Sequence, residues 1–550
     1  MSCLGEGEPP FVDRLTATLA LTTGGETFSI RAGDLKRFEL DITPWGFEGS
    51  AMFSFVAVAA QGEDALFAKF IGRDLLEVSL EVARTFDEVE EAAAPMTVRG
   101  VVTERSVVER AFPDVAGTPV LQRRYSIRFE DRGGALLRQH RPTALYVDRS
   151  LKELIEANTP DGVTVEHAWT AGEAKRPVLS LGLGVDGSDA SFRDFLFWLL
   201  HRENAGLYYD TGEDIYRIAS TKPGEGAVKR LRRGAVAAIE ARFPEVRRDA
   251  VGVLNASTEA ATKTKRITNE HGAPGVRTDC LIRSPIASRL DDRVTLEAAR
   301  ARQREPEAVV WFRVFPTTPL LPSMKVEIDE AFGENVIQHG KTYRVVSTRI
   351  RAEAERQEAT DDNGEESNVY RIVHELCLEL ASDPVFRFPA FQRPAWPFHV
   401  EGKVLSEIGE ERQGTYQTYQ EEGTSLDVYK VKVPLFGDEK VIVPFEPYHQ
   451  SGHFYFPADK DQRVLLELDF DRARICAFLD WRPGARLPAD SQGNHLLVGK
   501  GEEDETSIRH VYADGKPTLT ITRSMESDRQ VITISEGTIR LETRETQDGG

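Results

Sequence analysis

Cysteine is scarce in this chain, with four residues among 550, all far apart in the sequence. None belongs to a C-x-x-C pair, so the spacing predicts neither a zinc site nor a dithiol redox motif. We therefore expect free thiols, which are usual in the reducing cytosol.

Long apolar runs are missing as well. No window reaches the length of uninterrupted apolar residues that a membrane-spanning helix requires. The first residues, MSCLGEGEPPFVDRL, contain neither a basic segment nor an apolar one, so no secretory signal is predicted. We expect a cytosolic protein which, if it leaves the cell, does so by a route that needs no signal peptide.

Positive charge is in deficit. The chain has 69 Lys and Arg against 89 Asp and Glu, which gives a formal net charge of −20. Phosphate groups are contacted mainly by Lys and Arg, so this balance argues against a general nucleic-acid binder. It also argues against an anionic membrane surface as the resting partner.

Short β-type segments are abundant. Residues 14–150 contain alternating stretches such as LTATLALTT and RRYSIRFE, separated by Gly-Gly turns. Beyond them, Ser150 and Glu153 form a capping box that predicts a short helix over LKELIEAN. The length of the chain indicates several domains.

A second helix is predicted after residue 187. Ser188, Asp189 and Ser191 are all suitable N-cap residues. The apolar residues that follow have the spacing of one helical stripe, namely Phe192, Phe195, Leu196, Leu199 and Leu200. Asn204-Ala-Gly206 is typical of a helix end.

The best linker candidate is the segment DPVFRFPAFQRPAWPFHVEG, because its four prolines prevent a regular helix or a central strand. Residues 400–485 then contain five or six short strands with tight turns, which suit a small barrel.

The tail, residues 506–545, alternates almost strictly, with turns at Asp514-Gly515 and Glu536-Gly537. Alternating strands without a second layer cannot bury their apolar face alone. The pattern therefore favours an oligomer built on this tail.

A glycine-rich stretch invites a nucleotide-binding interpretation. Gly182, Gly184 and Gly187 match G-x-G-x-x-G, and Asp210 follows the next apolar run. In a dinucleotide site, however, the helix begins at the second glycine. Here the cap residues follow Gly187, and hairpins replace the βαβ units. A nucleotide-binding enzyme that uses the Gly182–Gly187 loop is kept as an alternative.

Other catalytic signatures are absent from the sequence, which has no G-x-S-x-G, H-E-x-x-H or Walker run. His449 and His453 have helical metal spacing in a β context, so we expect a surface loop. We expect Asp194 and Glu203 to lie on a solvated helix face. The loop 359–367 resembles a calcium loop, but alanine stands where the first ligand is required. No catalytic, cofactor or metal site is predicted.

Five segments in a fixed order carry a resemblance to a known family. They are the region 97–158 beginning TVRGVVTERS, SDASFRDFLFWLLHRENAGLYYD, the pair LLPSMKVEID and GKTYRVVSTRI, RPAWPFHVEGKVLSE, and FYFPADKDQRVLLELDFDRARICAFLDW. Together they resemble VgrG-type spike proteins of contractile injection systems, which join a phage tail-hub-like part to a spike-like part. Departures such as Asp471-Arg472-Ala473 in place of a Gly-Asp-Pro-Asp turn leave the subtype open.

The resemblance implies a mainly β (α+β) fold with phage tail-hub-like β-barrel domains, an OB-fold and the start of an intertwined trimeric β-prism. The implied domains are a hub region with two barrel-like units and small α/β insertions, a linker, the OB-fold and the spike tail. Their predicted bounds are 1–382, 383–399, 400–485 and 486–550.

The implied function is structural and non-enzymatic. A homotrimer would dock on an Hcp-like inner tube and on baseplate proteins, carry a PAAR-like tip or an effector, and meet a target membrane only on firing. It would assemble in the bacterial cytoplasm and bind no nucleic acid. The predicted trimer or tip contacts are Ile521, Val531, Ile532, Ile534, Ile539 and Leu541. The hub-spike of an extracellular, phage-tail-like particle is the alternative within this class.

Overall fold

A computed structural model describes most of the chain. The described residues are 10–58, 64–86, 92–112, 120–224, 226–329, 340–358, 360–410, 414–420, 427–444, 456–481, 484–487, 491–501 and 504–545. No helix within these ranges is both long and apolar enough to cross a membrane.

Strands make up most of the regular structure. The first sixteen are β1 (Phe11–Thr23), β2 (Glu26–Arg31), β3 (Leu35–Thr43), β4 (Gly46–Val58), β5 (Glu77–Arg84), β6 (Met96–Phe112), β7 (Val120–Glu130), β8 (Thr143–Ser150), β9 (Val165–Ala168), β10 (Lys175–Gly182), β11 (Gly206–Asp210), β12 (Ile215–Ala219), β13 (Lys229–Leu231), β14 (Val236–Arg242), β15 (Ala250–Asn255) and β16 (Thr264–Ile267). The others are β17 (Arg277–Ile282), β18 (Glu307–Phe312), β19 (Lys325–Ile328), β20 (Thr342–Ala354), β21 (Ser367–Leu380), β22 (Phe398–Leu405), β23 (Tyr419–Gln420), β24 (Asp427–Val433), β25 (Glu439–Pro444), β26 (Arg463–Asp469), β27 (Arg472–Phe478), β28 (Gly493–Gly501), β29 (Asp504–Ala513), β30 (Lys516–Met525), β31 (Asp528–Ser535) and β32 (Thr538–Arg544). The helices are α1 (Ala65–Phe70), α2 (Arg132–Gln139), α3 (Leu151–Ala157), α4 (Phe192–Glu203) and α5 (Ala287–Arg300).

Eight strands close into a barrel. Their hydrogen-bonded order is β20-β3-β4-β7-β6-β5-β1-β21, and β21 pairs back with β20. Alternation explains the core, because successive side chains of a strand point to opposite faces. In β1, for example, Leu15, Ala17, Leu19 and Leu21 are buried. Closure leaves no free sheet edge in this ring.

A second group of six strands shares β20 and β21 with that barrel, in the order β13-β19-β20-β21-β18-β14. Its two end strands are joined in the chain by one short turn, Arg233–Ala235. Leu231 and Val236, from opposite ends of the sheet, lie in one apolar core with Phe312 and Val326. The sheet is therefore strongly curled. The expected mainly β fold with tail-hub-like barrels is confirmed.

Contacts divide the chain into two compact units. The first contains residues 1–141, 155–173 and 189–394, and the second contains 142–154, 174–188 and 395–550. Sequence order alone places β8 and β10 in the predicted hub region 1–382. In the structure their Leu145 and Val178 share an apolar core with Phe398 and later residues of the second unit. The linear boundaries stay a prediction, since the units interleave along the chain.

Within the second unit, six strands form one sheet. Its order is β23-β24-β22-β26-β27, and β25 pairs with β24. The core of this sheet is aliphatic, and its fully buried members include Val404, Val431, Val441, Val464 and Leu466. The five or six strands expected between residues 400 and 485 are present, although the first begins at Phe398.

A buried ion cluster fixes the end of β21 in the first unit. Lys222 Nζ donates to both carboxylate oxygens of Glu379, each at 2.8 Å. Arg344 and Arg387 donate to the same carboxylate at 3.0 and 3.1 Å. The side chain of Glu379 is 4% exposed. Because Arg387 belongs to the predicted linker 383–399, the start of that segment is anchored to β21 rather than free.

Glu379→Gln should destabilise the full-length protein strongly, by about 3–5 kcal/mol, because three buried cations would lose their shared anion. The measurement is urea denaturation followed by circular dichroism. The matched control is Glu355→Gln, which removes an exposed partner of Arg371 at 3.1 Å and should cost at most about 1 kcal/mol. Equal losses from the two variants would contradict the role of this cluster.

A histidine lies in the apolar interior of the first unit. The His374 ring stacks on Phe312 at 4.6 Å and lies 5.6 Å from Phe315. Neither ring nitrogen has a hydrogen-bond partner among the described residues. Burial lowers the pKa of His374 to about 3, because a charged imidazolium would be poorly solvated there.

The free energy of unfolding should therefore fall as the pH drops below about 6.5, the pKa of an unfolded histidine. In that range His374 binds a proton in the unfolded chain but stays neutral in the folded protein. Near pH 5 this lowers the free energy of unfolding by about 2 kcal/mol. Urea denaturation near pH 7.5 and near pH 5 measures this difference in the free energy of unfolding. His374→Phe should remove this part of the pH dependence, whereas the exposed control His271→Phe should leave it unchanged.

Candidate assembly surface on the C-terminal sheet

The tail forms one antiparallel sheet in which each strand from β28 to β32 pairs with the next. Asp514 and Gly515 both have positive φ, 51° and 74°, which suits the tight turn between β29 and β30. Gly537, with φ 66°, serves the turn between β31 and β32. The turns predicted from the sequence are thus present.

Aliphatic side chains line up across all five strands. Successive cross-strand partners place Leu496, Ile508, Ile521, Ile532 and Leu541 in a single row. Directly paired residues of an antiparallel sheet share a face, so this row is a continuous apolar stripe.

A second row on the same face lies beside the first. It contains His510, Leu519, Ile534 and Ile539, which are also successive cross-strand partners. Residues two apart on a strand point to the same side, which places Ile534 next to Ile532 and Ile539 next to Leu541. We call the face formed by these two rows the apolar face.

The apolar face is open in the single chain. Ile539 and Leu541 are 70% and 73% exposed, and Ile532 and Ile534 are about two-fifths exposed. Within the described residues, no other element covers these side chains enough to bury them. Exposed apolar surface of this extent is typical of an interaction site.

The opposite face is polar. Its rows include Arg509, Thr520, Thr533 and Arg540. Val531 also lies on this face, where it pairs with Thr522, because it directly precedes Ile532 and successive side chains of a strand point to opposite faces. Of the six predicted contact residues, five therefore share the apolar face and Val531 does not. Their contacts stay a prediction.

The glycine-rich loop does not form a dinucleotide site. Strand β10 ends at Gly182 and pairs antiparallel with β8, where a dinucleotide fold requires parallel βαβ pairing. Helix α4 begins only at Phe192. A Cβ atom at Gly182 would lie 2.6 Å from the Phe398 ring, so glycine is needed there for packing. The prediction that these glycines precede the helix is confirmed.

Helix α4 begins with a capping box. The Ser191 hydroxyl accepts from the Asp194 N–H, and the Asp194 carboxylate accepts from the Ser191 N–H at 2.9 Å. Asp194 also accepts from the Gln392 N–H at 3.1 Å. Burial alone would raise the Asp194 pKa, but these hydrogen bonds outweigh it and lower the pKa. Asp194 is therefore only partly exposed, whereas the sequence predicts a solvated helix face.

The predicted apolar stripe of α4 is buried at all five positions, and Phe197 is buried as well. The sequence pattern missed Phe197 because it lies outside the i, i+3, i+4 series. Its ring packs edge-on against Trp45 at 6.4 Å, a contact between distant segments. His449 and His453 lie outside the described residues.

Solved structures of one complex share this fold over nearly the whole chain. A chain of the Francisella PdpA–VgrG complex in its lidded form matches with a TM-score of 0.73 and 12% identity, covering 97% of this chain and 80% of the other. In the lidless form the TM-score is 0.70 at 12% identity, with 98% and 100% covered. The E. coli c3393 protein, described as a type VI secretion component, has a TM-score of 0.47 at 13% identity, with 84% of this chain and 99% of the other covered.

No protein-family model matches the sequence, and the search of curated proteins found no match. The structural likeness nevertheless extends over nearly the whole chain. It shows that the chain has the fold of the matched chains in the PdpA–VgrG complex, in agreement with the resemblance noted in the sequence.

Ser191→Ala should destabilise the full-length protein by about 1 kcal/mol, because the first turn of α4 loses its side-chain cap. Urea denaturation followed by circular dichroism measures the change. Asp189, also a candidate cap from the sequence, is exposed and is not the cap. Asp189→Ala should therefore change the stability by less than about 0.5 kcal/mol. A larger loss from Asp189→Ala than from Ser191→Ala would contradict this assignment.

Proposed function

We propose that this chain is a non-enzymatic hub-and-spike subunit of a contractile injection system. Three copies would assemble through their tails. The observation that carries the proposal is the exposed apolar face of the C-terminal sheet, in a chain whose fold is that of chains in a VgrG complex.

The apolar face supports self-association on energetic grounds. Complete burial of one isoleucine or leucine side chain is worth about 1.5–3 kcal/mol. Each copy offers two adjacent rows of such side chains, so several contacts of this size are available to offset the entropy lost on association. A five-stranded sheet with one apolar face meets two further copies most simply as one wall of a three-sided prism.

The hub unit supports the proposal on grounds of symmetry. Each chain contributes two barrel-like groups of strands that share β20 and β21. Three chains would thus present six such groups, which suits docking on a hexameric tube. This symmetry match is what the resemblance to VgrG-type spikes implies.

The partners follow from the same role. We propose an Hcp-like inner tube and baseplate proteins at the hub, and a PAAR-like tip or effector cargo at the end of the tail. The subunit would assemble in the bacterial cytoplasm and reach a target membrane only when the sheath contracts. A type VI secretion system is the first candidate. An extracellular, phage-tail-like particle is the second, because departures such as Asp471-Arg472-Ala473 leave the subtype open.

The decisive experiment is light scattering on the purified full chain and two single variants. The wild type should have about three times the 61.4 kDa mass of one chain. Ile532→Asp puts a charge on the apolar face, in the first of its two rows. The trimer should dissociate because a buried unpaired carboxylate is costly. Thr533→Asp, one residue along on the polar face, should keep the trimer.

A wild-type monomer or dimer would contradict the proposed trimer. Equal dissociation of both variants would show that the apolar face is not the contact. A chain truncated after Arg482 lacks the whole tail sheet and should also be a monomer, with the lower mass of the shortened chain.

A further inference from the structure

Asn363 and Gly364 form the only Asn-Gly pair in the sequence. Asparagine is a chemically labile residue. A glycine that follows it leaves the backbone nitrogen between the two residues unshielded, because glycine has no Cβ atom. In the structure Asn363 is exposed, and a Cβ atom added at Gly364 would meet nothing within 4 Å. Solvent therefore reaches a pair of residues that can react with each other.

The reaction available to this pair is deamidation through a cyclic imide. The Gly364 nitrogen gives its proton to water or hydroxide and bonds to Asn363 Cγ. The Cγ–Nδ2 bond then breaks, and the amide nitrogen takes up a proton and leaves as ammonia. Water opens the imide ring at either carbonyl, which gives aspartate or isoaspartate at this position. Both products carry a negative charge that Asn363 lacks, and isoaspartate also lengthens the main chain by a carbon atom.

The pair lies at the corner of a tight turn. Glu365 N–H donates to the Asp362 carbonyl at 3.1 Å, which closes a β-turn around Asn363 and Gly364. Gly364 has a φ of 75°, as the second central residue of a type II turn requires. In this turn the Gly364 nitrogen faces away from the side chain that it would attack. The peptide plane between Asn363 and Gly364 must therefore rotate before the ring can form.

The end of β2 and the turn into β3 oppose this rotation. The carboxylate of Asp34, a residue that is 7% exposed, accepts from the Gly364 N–H itself. Arg31 Nη1 donates to the Gly364 carbonyl at 3.2 Å, and Gly33 N–H donates to the Glu365 carbonyl at 2.9 Å. The reacting nitrogen is thus hydrogen-bonded, and the chain that follows it is fixed.

The residues before the pair are fixed as well. Lys36 is 1% exposed, and its Nζ donates to the carbonyls of Gly33 at 2.7 Å and Asp361 at 2.9 Å. A Cβ atom at Gly33 would lie only 1.7 Å from the Asp362 carbonyl oxygen, so the two backbones are in direct contact. Rotation of the peptide plane therefore requires local opening of several contacts.

We propose that Asn363 is a deamidation site that the folded protein keeps unreactive, and that separation of its turn from β3 commits it to a one-way conversion. The isoaspartate product cannot restore the original contacts, because the added carbon changes the spacing between Asp362 and Gly364. The new carboxylate also adds repulsion beside Asp361 and Asp362. The site would therefore keep a covalent record of each opening that led to reaction.

The test is incubation of the full chain in mildly alkaline buffer, followed by mass spectrometry of the peptide that contains Asn363. The folded wild type should react at least about tenfold more slowly than the same chain in urea, because local opening must come first. Asp34→Ala should react about tenfold faster than the wild type, since the Gly364 N–H loses a charged acceptor. Glu366→Ala, which removes an exposed carboxylate of the same turn region, should react at the wild-type rate.

Equal rates for the folded wild type and the chain in urea would overturn the proposal. So would an Asp34→Ala rate equal to or below that of the wild type, because the carboxylate would then not restrain the nitrogen. If circular dichroism shows that Asp34→Ala does not fold, Arg31→Met replaces it and should still react about threefold faster than the wild type. No acceleration in that variant would equally overturn the proposal. These outcomes are independent of oligomeric state.

Discussion

The antiparallel pairing of β20 with β21 is the interaction on which the hub unit depends. It runs from Tyr343 against Leu380 to Ala354 against Tyr370, and both strands belong to the closed barrel and to the curled six-stranded group. Loss of this one ladder would therefore open the barrel and divide the six-stranded group at the same time. The clusters around Glu379 and Lys36 lie at opposite ends of this pair. Glu379 is near the end of β21, whereas Asp361, whose carbonyl accepts a hydrogen bond from Lys36, lies between the end of β20 and the start of β21.

The tail obeys a different constraint. In the barrels, alternation sends one face of each strand into a core made by the same chain. In β28–β32 the alternation is as regular, yet the chain supplies no core for the apolar face within the described residues. The same two-residue period therefore has opposite consequences in the two regions. In the hub it accounts for folding within one chain, and in the tail it is the reason to invoke further copies.

Local features were predictable from the sequence, and long-range contacts were not. The start of α4, its stripe and the turn at Asp514-Gly515 follow from residues within a few positions of one another. Capping and hairpin chemistry is local, so a single sequence contains it. The placement of β8 and β10 with Phe398 depends on contacts across more than two hundred positions. Val531 shows a further difficulty. Neighbouring residues of a strand point to opposite faces, and Val531 and Ile532 are both apolar, so only the pairing with β30 shows which face each side chain occupies.

Buried charges show the same limit most clearly. Lys36 and Asp361 are 325 positions apart, and no pattern in either segment indicates that they meet. The sequence predicts no calcium site in the loop 359–367, because alanine stands at the first ligand position, but it does not reveal that the Asp361 carbonyl accepts a hydrogen bond from buried Lys36. Lys222 and Glu379 are likewise 157 positions apart.

Buried ion pairs contribute little net stability compared with apolar packing of the same volume, but they tolerate few alternative arrangements. Clusters that join distant segments at both ends of one strand pair therefore favour a single fixed geometry of the hub, which is the property that the proposed mechanical role would require.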